Sequence, residues 1–171
     1  MDATHLHLVL NHFPIIGTLI GLGILLYGFI RSSESVKQAA LGTWILMALI
    51  AIPVFLTGEP AEETVEGLTG ISESVIHDHE EAAEIAIWLM AGLGVLSLAT
   101  LLLLKYNQAF SKTLMLVTLV AAVITFGGMA RTGYLGGQIR HSELSTTSTV
   151  QPADDHETRQ YKEEKDDVDF R

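Results

Sequence analysis

The chain has 171 residues, of which 49% are hydrophobic, and it carries a formal net charge of −10 at pH 7. This length allows one domain. The acidic balance argues against nucleic acid as a partner, and it is compatible with docking of a basic soluble protein. Because the sequence contains no cysteine, disulfides, thiolate metal sites and covalent c-type haem attachment are excluded. The candidate metal ligands are therefore histidine, carboxylate and methionine side chains.

The hydrophobic residues are concentrated in four blocks, residues 8–30, 39–56, 85–104 and 114–130. Each block is close to the roughly 20 residues that a helix needs to cross about 30 Å of hydrocarbon. The first three blocks contain no Lys, Arg, Asp or Glu, so they lack the polar stripe of a helix in a soluble bundle. The sequence predicts an all-α fold, a polytopic membrane four-helix bundle whose main partner is the lipid bilayer.

Shorter signals, taken in chain order, indicate where the helices begin and end. After the first block, "RSSESVKQ" predicts a polar turn with a candidate helix cap at Ser32 or Ser33. After the second block, "PAEETVEGL" predicts a short amphipathic helix at the membrane interface. We expect the third helix to begin near Ser72, outside the bilayer, and to run to about Tyr106. The fourth helix is expected to remain helical to Gly136 or beyond.

The chain divides into a four-helix transmembrane domain, residues 1–143, and an acidic tail, residues 144–171. The tail has too few aliphatic side chains to offset the entropy lost on ordering, so we expect it to be disordered or bound to a partner. At the other end, no basic region precedes the first block and no small-residue cleavage site follows it. We therefore expect a retained helix rather than a signal peptide.

The distribution of basic residues predicts the orientation in the membrane. The turns that follow the first and third blocks carry Arg31, Lys37, Lys105 and Lys112, whereas the segment between the second and third blocks carries no Lys or Arg. Positive charge is retained on the cytoplasmic side. We therefore expect a bacterial inner-membrane protein whose N- and C-termini are both periplasmic.

Six of the seven histidines are expected on this outer side of the membrane. Three separate helical segments bring them there, and none is expected on the cytoplasmic side. The simpler interpretation is that these histidines are interfacial anchors or pH sensors and share no binding site. Convergence from three segments favours a shared binding site instead. The six are His5, His7, His12, His77, His79 and His141.

Two kinds of site suit such a cluster. In a b-type haem, two neutral imidazoles from facing helices bind the iron axially, and basic side chains hold the propionates. We predict His12 and His79 as the axial pair, because they lie on different spanning helices nearest the membrane boundary, with His7 and His141 in reserve. Arg131 and Arg140 lie at the level expected of propionate partners. Alternatively, the same four histidines bind a bare copper or zinc ion together with a carboxylate.

Three short motifs are similar to those of a known family. "NHFPIIG" at the start of the first span, "HEEAAEIA" in the third helix and "GYLGGQIRH" after the fourth span resemble the bacterial four-helix membrane proteins catalogued as domain of unknown function 2231. The resemblance covers about residues 6–143. It implies a small inner-membrane protein of a family suspected of binding haem or of acting beside redox partners. By motif, it points to His12, His79 and His141.

Three functions are consistent with these features. The first is a membrane cytochrome b-like subunit, in which a haem near the periplasmic face passes electrons between a quinone pool or partner subunit and an outer carrier. The second is a non-haem copper or zinc protein, and the third is a structural or assembly subunit of a larger membrane complex. Since no nucleophilic triad or phosphate-binding loop is apparent in the sequence, an accessory or electron-transfer role is favoured over a stand-alone enzyme.

Overall fold

The computed structural model describes residues 3–65, 73–104, 106 and 108–149, with the backbone alone for 3, 62–65, 108–109 and 140–149. Every regular element among these residues is a helix. The six helices are α1 (Ala3–Leu10), α2 (His12–Ile30), α3 (Glu34–Leu56), α4 (Gly58–Val65), α5 (Glu73–Leu103) and α6 (Gln108–Thr149).

Four stretches are long and apolar enough to cross a membrane, namely Thr4–Ile30, Glu34–Leu56, Glu73–Leu103 and Phe110–Ile139. The outward surface of these helices is also apolar: the side chains of Ile30 and Trp88 are 79% and 73% exposed. A surface of this kind is stable in hydrocarbon and unfavourable in water. The four-span, all-α prediction is thus confirmed in its general form.

The long helices pack in the order α2, α3, α5, α6, and α6 returns to contact α2. The largest side chains at the centre of the bundle are fully buried, among them Trp44, Leu25, Met90 and Leu93. α1 and α4 pack on each other and against α3. They lie at the end of the bundle where α3 ends and α5 begins, which we call the histidine end. The opposite end, with the turn between α2 and α3 and the start of α6, is called the basic end.

Most of the predicted helix ends agree with the structure. α5 begins at Glu73 and ends at Leu103, close to the predicted limits, and α4 confirms a helix over residues 60–65 of the expected amphipathic segment. Ser33 occupies the N-cap position of α3, although its side chain makes no capping hydrogen bond. α6 continues to Thr149, past residue 143, at which we expected the transmembrane domain to end. The rest of the tail lies outside the described residues.

Glycines bring α2 and α3 into close contact. A Cβ atom on Gly21 would collide with the Trp44 indole, and one on Gly17 would collide with the Met47 side chain. Trp44 Nε1 donates a hydrogen bond to the backbone oxygen of Thr18 over 3.2 Å. The indole N–H is thereby satisfied within a fully buried interface, as a membrane-embedded polar group requires.

Gly21 and Gly23 provide a matched test of this interface. We expect Gly21→Ala to lower the free energy of unfolding by about 1–3 kcal/mol, because the added methyl group displaces the buried indole. Gly23→Ala is expected to be neutral or to stabilise by up to about 1 kcal/mol, because a Cβ there meets no atom within 4 Å and alanine favours the helix. Thermal unfolding in one detergent measures both. Equal midpoints for the two variants would contradict this packing.

Buried hydroxyl groups line the interface between α5 and α6. Ser111, Thr118, Thr125 and Thr132 recur on α6 at seven-residue spacing, which keeps them on the face that meets α5. Thr118 Oγ1 lies 3.0 Å from Thr100 Oγ1, and Thr125 Oγ1 donates to the backbone oxygen of Leu89 over 3.3 Å. These contacts join the two longest helices through the apolar region. The neighbouring Ser97 is fully buried, and its Oγ has no hydrogen-bond partner among the described residues.

This difference between Thr100 and Ser97 predicts opposite effects of removing the hydroxyl. Thr100→Val should destabilise the protein by about 0.6 kcal/mol, and at most about 1.7 kcal/mol, the range for interhelical hydrogen bonds in membranes. Ser97→Ala should be neutral or stabilising, because it removes a buried group that lacks a partner. Unfolding of both variants in mixed micelles checks the signs. A larger loss for Ser97→Ala than for Thr100→Val would contradict the assignment.

Candidate functional site

The histidine end collects residues that are far apart in the sequence. The start of α2 meets the second half of α6, where a Cβ on Gly133 would lie 2.8 Å from Ile15 Cδ1. The start of α5 meets the same part of α6, and α1 meets the end of α3. Three of these elements, α1, α2 and α5, bear histidines whose side chains the structure describes.

His79 lies near the start of α5, is partly buried and is fixed by α6. Its Nδ1 lies 3.1 Å from the backbone oxygen of Thr132, which can only accept a hydrogen bond. The proton is therefore on Nδ1, and Nε2 keeps its lone pair. The ring packs over Gly136, where a Cβ would lie 3.1 Å from its Cε1. A glycine at this position gives the imidazole access to the α6 backbone.

His7 is fixed in the same manner, but by α3. Its Nδ1 lies 2.9 Å from the backbone oxygen of Val54, in the last turn of α3, where carbonyl groups lack intrahelical amide partners. Thr57 Oγ1 lies 3.0 Å from the same oxygen and 2.8 Å from the Pro53 oxygen, so its one proton is shared between these two acceptors. The Gly58 backbone lies beside the ring. His7 thus joins α1 to the end of α3, and in the neutral ring with this tautomer Nε2 carries the lone pair.

The two imidazoles lie at the same end of the bundle, where α3 ends and α5 begins. Within the described part of the chain, neither Nε2 atom has a hydrogen-bond partner. An imidazole that donates from Nδ1 to a backbone carbonyl and presents Nε2 is the usual form of a metal-ligating histidine, because the hydrogen bond fixes the tautomer and the ring orientation. His7 and His79 are therefore two oriented donors on different helices.

The other predicted ligands lie in different surroundings. The side chains of His5 and His12 are exposed, and neither ring forms a hydrogen bond with a described residue. His77 is exposed as well, 3.8 Å from Glu80 and 3.6 Å from Glu81. The structure therefore fixes one histidine from each of the two predicted pairs, His79 and His7, by a hydrogen bond to another helix, and it leaves His12 on the surface.

The predicted propionate partners and the fourth histidine lie on α6. Arg131 is exposed and precedes Thr132, the residue that holds His79. The backbones of Arg140 and His141 are helical, but their side chains lie outside the described ones. His156 lies outside the described residues altogether.

Sequence reasoning missed the groups that orient the two imidazoles. Any backbone carbonyl can accept from histidine, so Val54 and Thr132 have no signature of their own. The end of α3 did offer a signal, because "TGEP" at residues 57–60 marks a helix end and therefore unpaired carbonyl groups. Gly136 is one of three glycines in "GYLGGQIRH", and the sequence does not distinguish it from the other two.

The described side chains at the histidine end include two imidazoles that are each fixed by a hydrogen bond. Among the side chains that the structure describes, no group of three or more His, Asp or Glu residues is placed to hold a metal ion. A bare zinc ion takes three or four protein ligands. The iron of a bis-histidine haem takes two, because the porphyrin supplies the other four. Two oriented imidazoles fit the second requirement.

Similarity to known proteins gives no separate assignment of this site. Comparison of the chain with protein-family models, with curated proteins and with solved structures found no match. The role of the histidine end is therefore inferred from its own chemistry.

Substitutions of Gly136 and Gly137 test the packing of the His79 ring on α6 with a matched control. Both replacements by alanine gain the same helix propensity, but only a Cβ on Gly136 presses on the His79 ring, whereas one on Gly137 meets no atom within 4 Å. We expect Gly136→Ala to be less stable than Gly137→Ala by about 1 kcal/mol, the usual value of one hydrogen bond. Unfolding midpoints in the same detergent give the difference. Indistinguishable midpoints would show that the ring does not depend on this contact.

Proposed function

We propose that the protein is a membrane-embedded, haem b-binding electron-transfer protein or subunit, with His7 and His79 as the axial ligands. One observation carries the proposal. The two imidazoles lie at the same end of the bundle, the Nδ1–H of each donates to a carbonyl group of another helix, and the Nε2 of each is uncommitted among the described residues. This choice differs from the sequence-based pair in one member. His7 replaces His12, whose ring is exposed.

The donor set supports haem over the copper or zinc alternative. Neutral imidazoles from two different helices are the usual axial ligands of haems held within helical bundles. A bare ion would need at least one further protein ligand, and the described side chains supply no such group. When bound, the haem supplies the one-electron chemistry, and the protein supplies binding, orientation and electrostatic tuning.

The residues of the chain have distinct tasks in this proposal. The carbonyl groups of Val54 and Thr132 hold the two rings in the tautomer that presents Nε2 and make each imidazole a stronger donor. Arg131, exposed beside Thr132, is a candidate partner for a propionate, and Arg140 lies further along α6. Since His7 is hydrogen-bonded to α3 and His79 to α6, a ligand shared by both imidazoles would connect the two halves of the bundle.

The charges around the histidine end favour a cationic electron carrier. The exposed residues at the start of α5 include Glu73, Asp78, Glu80, Glu81 and Glu84. A surface of one sign next to the cofactor raises the rate at which a carrier of opposite charge associates. The exposed Arg31 and Lys112 lie at the basic end. By the positive-inside rule, we propose that the histidine end faces the periplasm in a bacterial inner membrane. Electrons would come from the quinone pool or from a partner subunit.

The visible spectrum of purified histidine variants tests the ligand assignment. We expect His7→Ala and His79→Ala each to lower haem content about tenfold or more, because each removes one of two iron ligands. His5→Ala and His12→Ala are matched controls on the same helical stretch and should retain haem and an unshifted Soret band. Haem per protein is measured after expression with added haem precursor.

Other outcomes would replace this proposal with a specific alternative. Loss of haem in His12→Ala together with retention in His7→Ala would restore the pair predicted from sequence. A colourless wild-type protein with stoichiometric copper or zinc would support the non-haem function. A wild-type protein that binds neither haem nor metal would support the structural or assembly role.

A further inference from the structure

A groove of about 620 Å³ lies between α2 and α3 at the basic end, away from the histidines. Its lining is almost entirely apolar and consists of Ile20, Gly23, Ile24, Tyr27, Ser35, Val36 and Ala39. Both helices are among those able to cross a membrane, so the groove opens towards hydrocarbon.

Small residues on both helices create the groove. A Cβ on Gly23 would meet no atom within 4 Å, so the missing side chain leaves open space between the exposed side chains of Ile20 and Tyr27. On α3, Ser35 and Ala39 lie one turn apart and are exposed as well. Because the walls offer almost no polar surface, the part of a ligand that enters must be a hydrocarbon chain.

A positively charged residue, Arg31, lies one helical turn beyond the groove along α2. Arg31 follows Tyr27 by one helical turn, its backbone N–H donates to the Tyr27 oxygen over 2.9 Å, and its side chain is exposed. Within the described part of the chain, Arg31 has no acidic partner. The neighbouring Lys37 is already paired with Glu34 at 2.8 Å and lies over the Phe29 ring. Arg31 is therefore available to an external anion.

We propose that this groove binds a phospholipid with an anionic headgroup, with an acyl chain against Gly23 and the headgroup phosphate at Arg31. Apolar walls below a cationic mouth complement both parts of such a lipid, and tyrosine and arginine are typical of the membrane interface. A neutral quinone would need hydrogen-bond donors within the groove for its carbonyl groups. At Gly23 it would also lie about 24 Å along the helix from His7, given 1.5 Å per residue, and is therefore badly placed to exchange electrons with the histidine end.

Filling the groove tests whether a lipid chain occupies it. Gly23→Leu places a side chain in the groove, and Gly92→Leu is the matched control, since Gly92 is also exposed on a spanning helix with no atom within 4 Å of a Cβ. Full-length protein is reconstituted in vesicles of equal parts phosphatidylethanolamine and phosphatidylglycerol, extracted in mild detergent and examined by native mass spectrometry. We expect Gly23→Leu to lower retention of phosphatidylglycerol at least tenfold, because each buried methylene lost weakens binding about fourfold. Gly92→Leu should match the wild-type protein.

Replacing Arg31 tests recognition of the headgroup separately. Arg31→Gln lies in an exposed turn and should leave folding intact, but the wild-type preference for phosphatidylglycerol over phosphatidylethanolamine should fall towards equal retention. Unchanged lipid retention in Gly23→Leu, equal loss in Gly92→Leu, or an unchanged headgroup preference in Arg31→Gln would each overturn the proposal. The proposal would also be overturned if a quinone co-purified with the wild-type protein and Gly23→Leu displaced that quinone rather than the phospholipid. Neither measurement depends on haem content, so a failure of the lipid proposal can be distinguished from a failure of the proposed electron-transfer function.

Discussion

The hydrogen bond from His79 to the Thr132 carbonyl is the interaction on which the histidine end depends. It forms because α5 and α6 run together beyond the apolar region, and because Gly136 leaves room for the ring between them. The hydroxyl groups that recur at seven-residue spacing on α6 keep the same face of that helix against α5. Thr132 is the last of the series, so helix register set deep in the bundle determines where His79 finds its acceptor.

His7 reaches its position by a different route. It lies on α1, which follows the course of α2 except for the turn at Asn11, three residues before Pro14. The Asn11 N–H still donates to the His7 oxygen over 2.9 Å, so helical hydrogen bonding continues across the turn. α1 can therefore contact the end of α3 while the Asn11 N–H remains paired. Two independent anchors, on α3 and on α6, thus bring two imidazoles with the same tautomer to one end of the bundle.

The coarse architecture was predictable because a long apolar block has few stable structures other than a membrane-spanning helix. The four spans, the extension of α5 before the third span and the shared end of the histidines all follow from block length and from the direction of each crossing. The choice between His7 and His12 did not follow. They lie five residues apart and so differ by about 140° around a helix axis, and the rotation of α1 is set by its contacts with α3 and α4. Backbone acceptors such as Val54 have no residue-type signature from which the rotation can be read.

Glycine illustrates most clearly why sequence pattern alone does not assign function in this chain. Gly21 permits an indole to pack between two helices, Gly136 permits an imidazole to reach a backbone carbonyl, and Gly23 borders open space on the membrane-facing surface. All three lie in apolar helices with similar neighbours, and all three would be classed as small-residue packing positions. Only the identity of the opposing atoms distinguishes a contact with an indole, a contact with an imidazole and an open groove. The two ends of the bundle differ accordingly: an apolar groove lies between α2 and α3 at the basic end, and two oriented imidazoles lie at the histidine end.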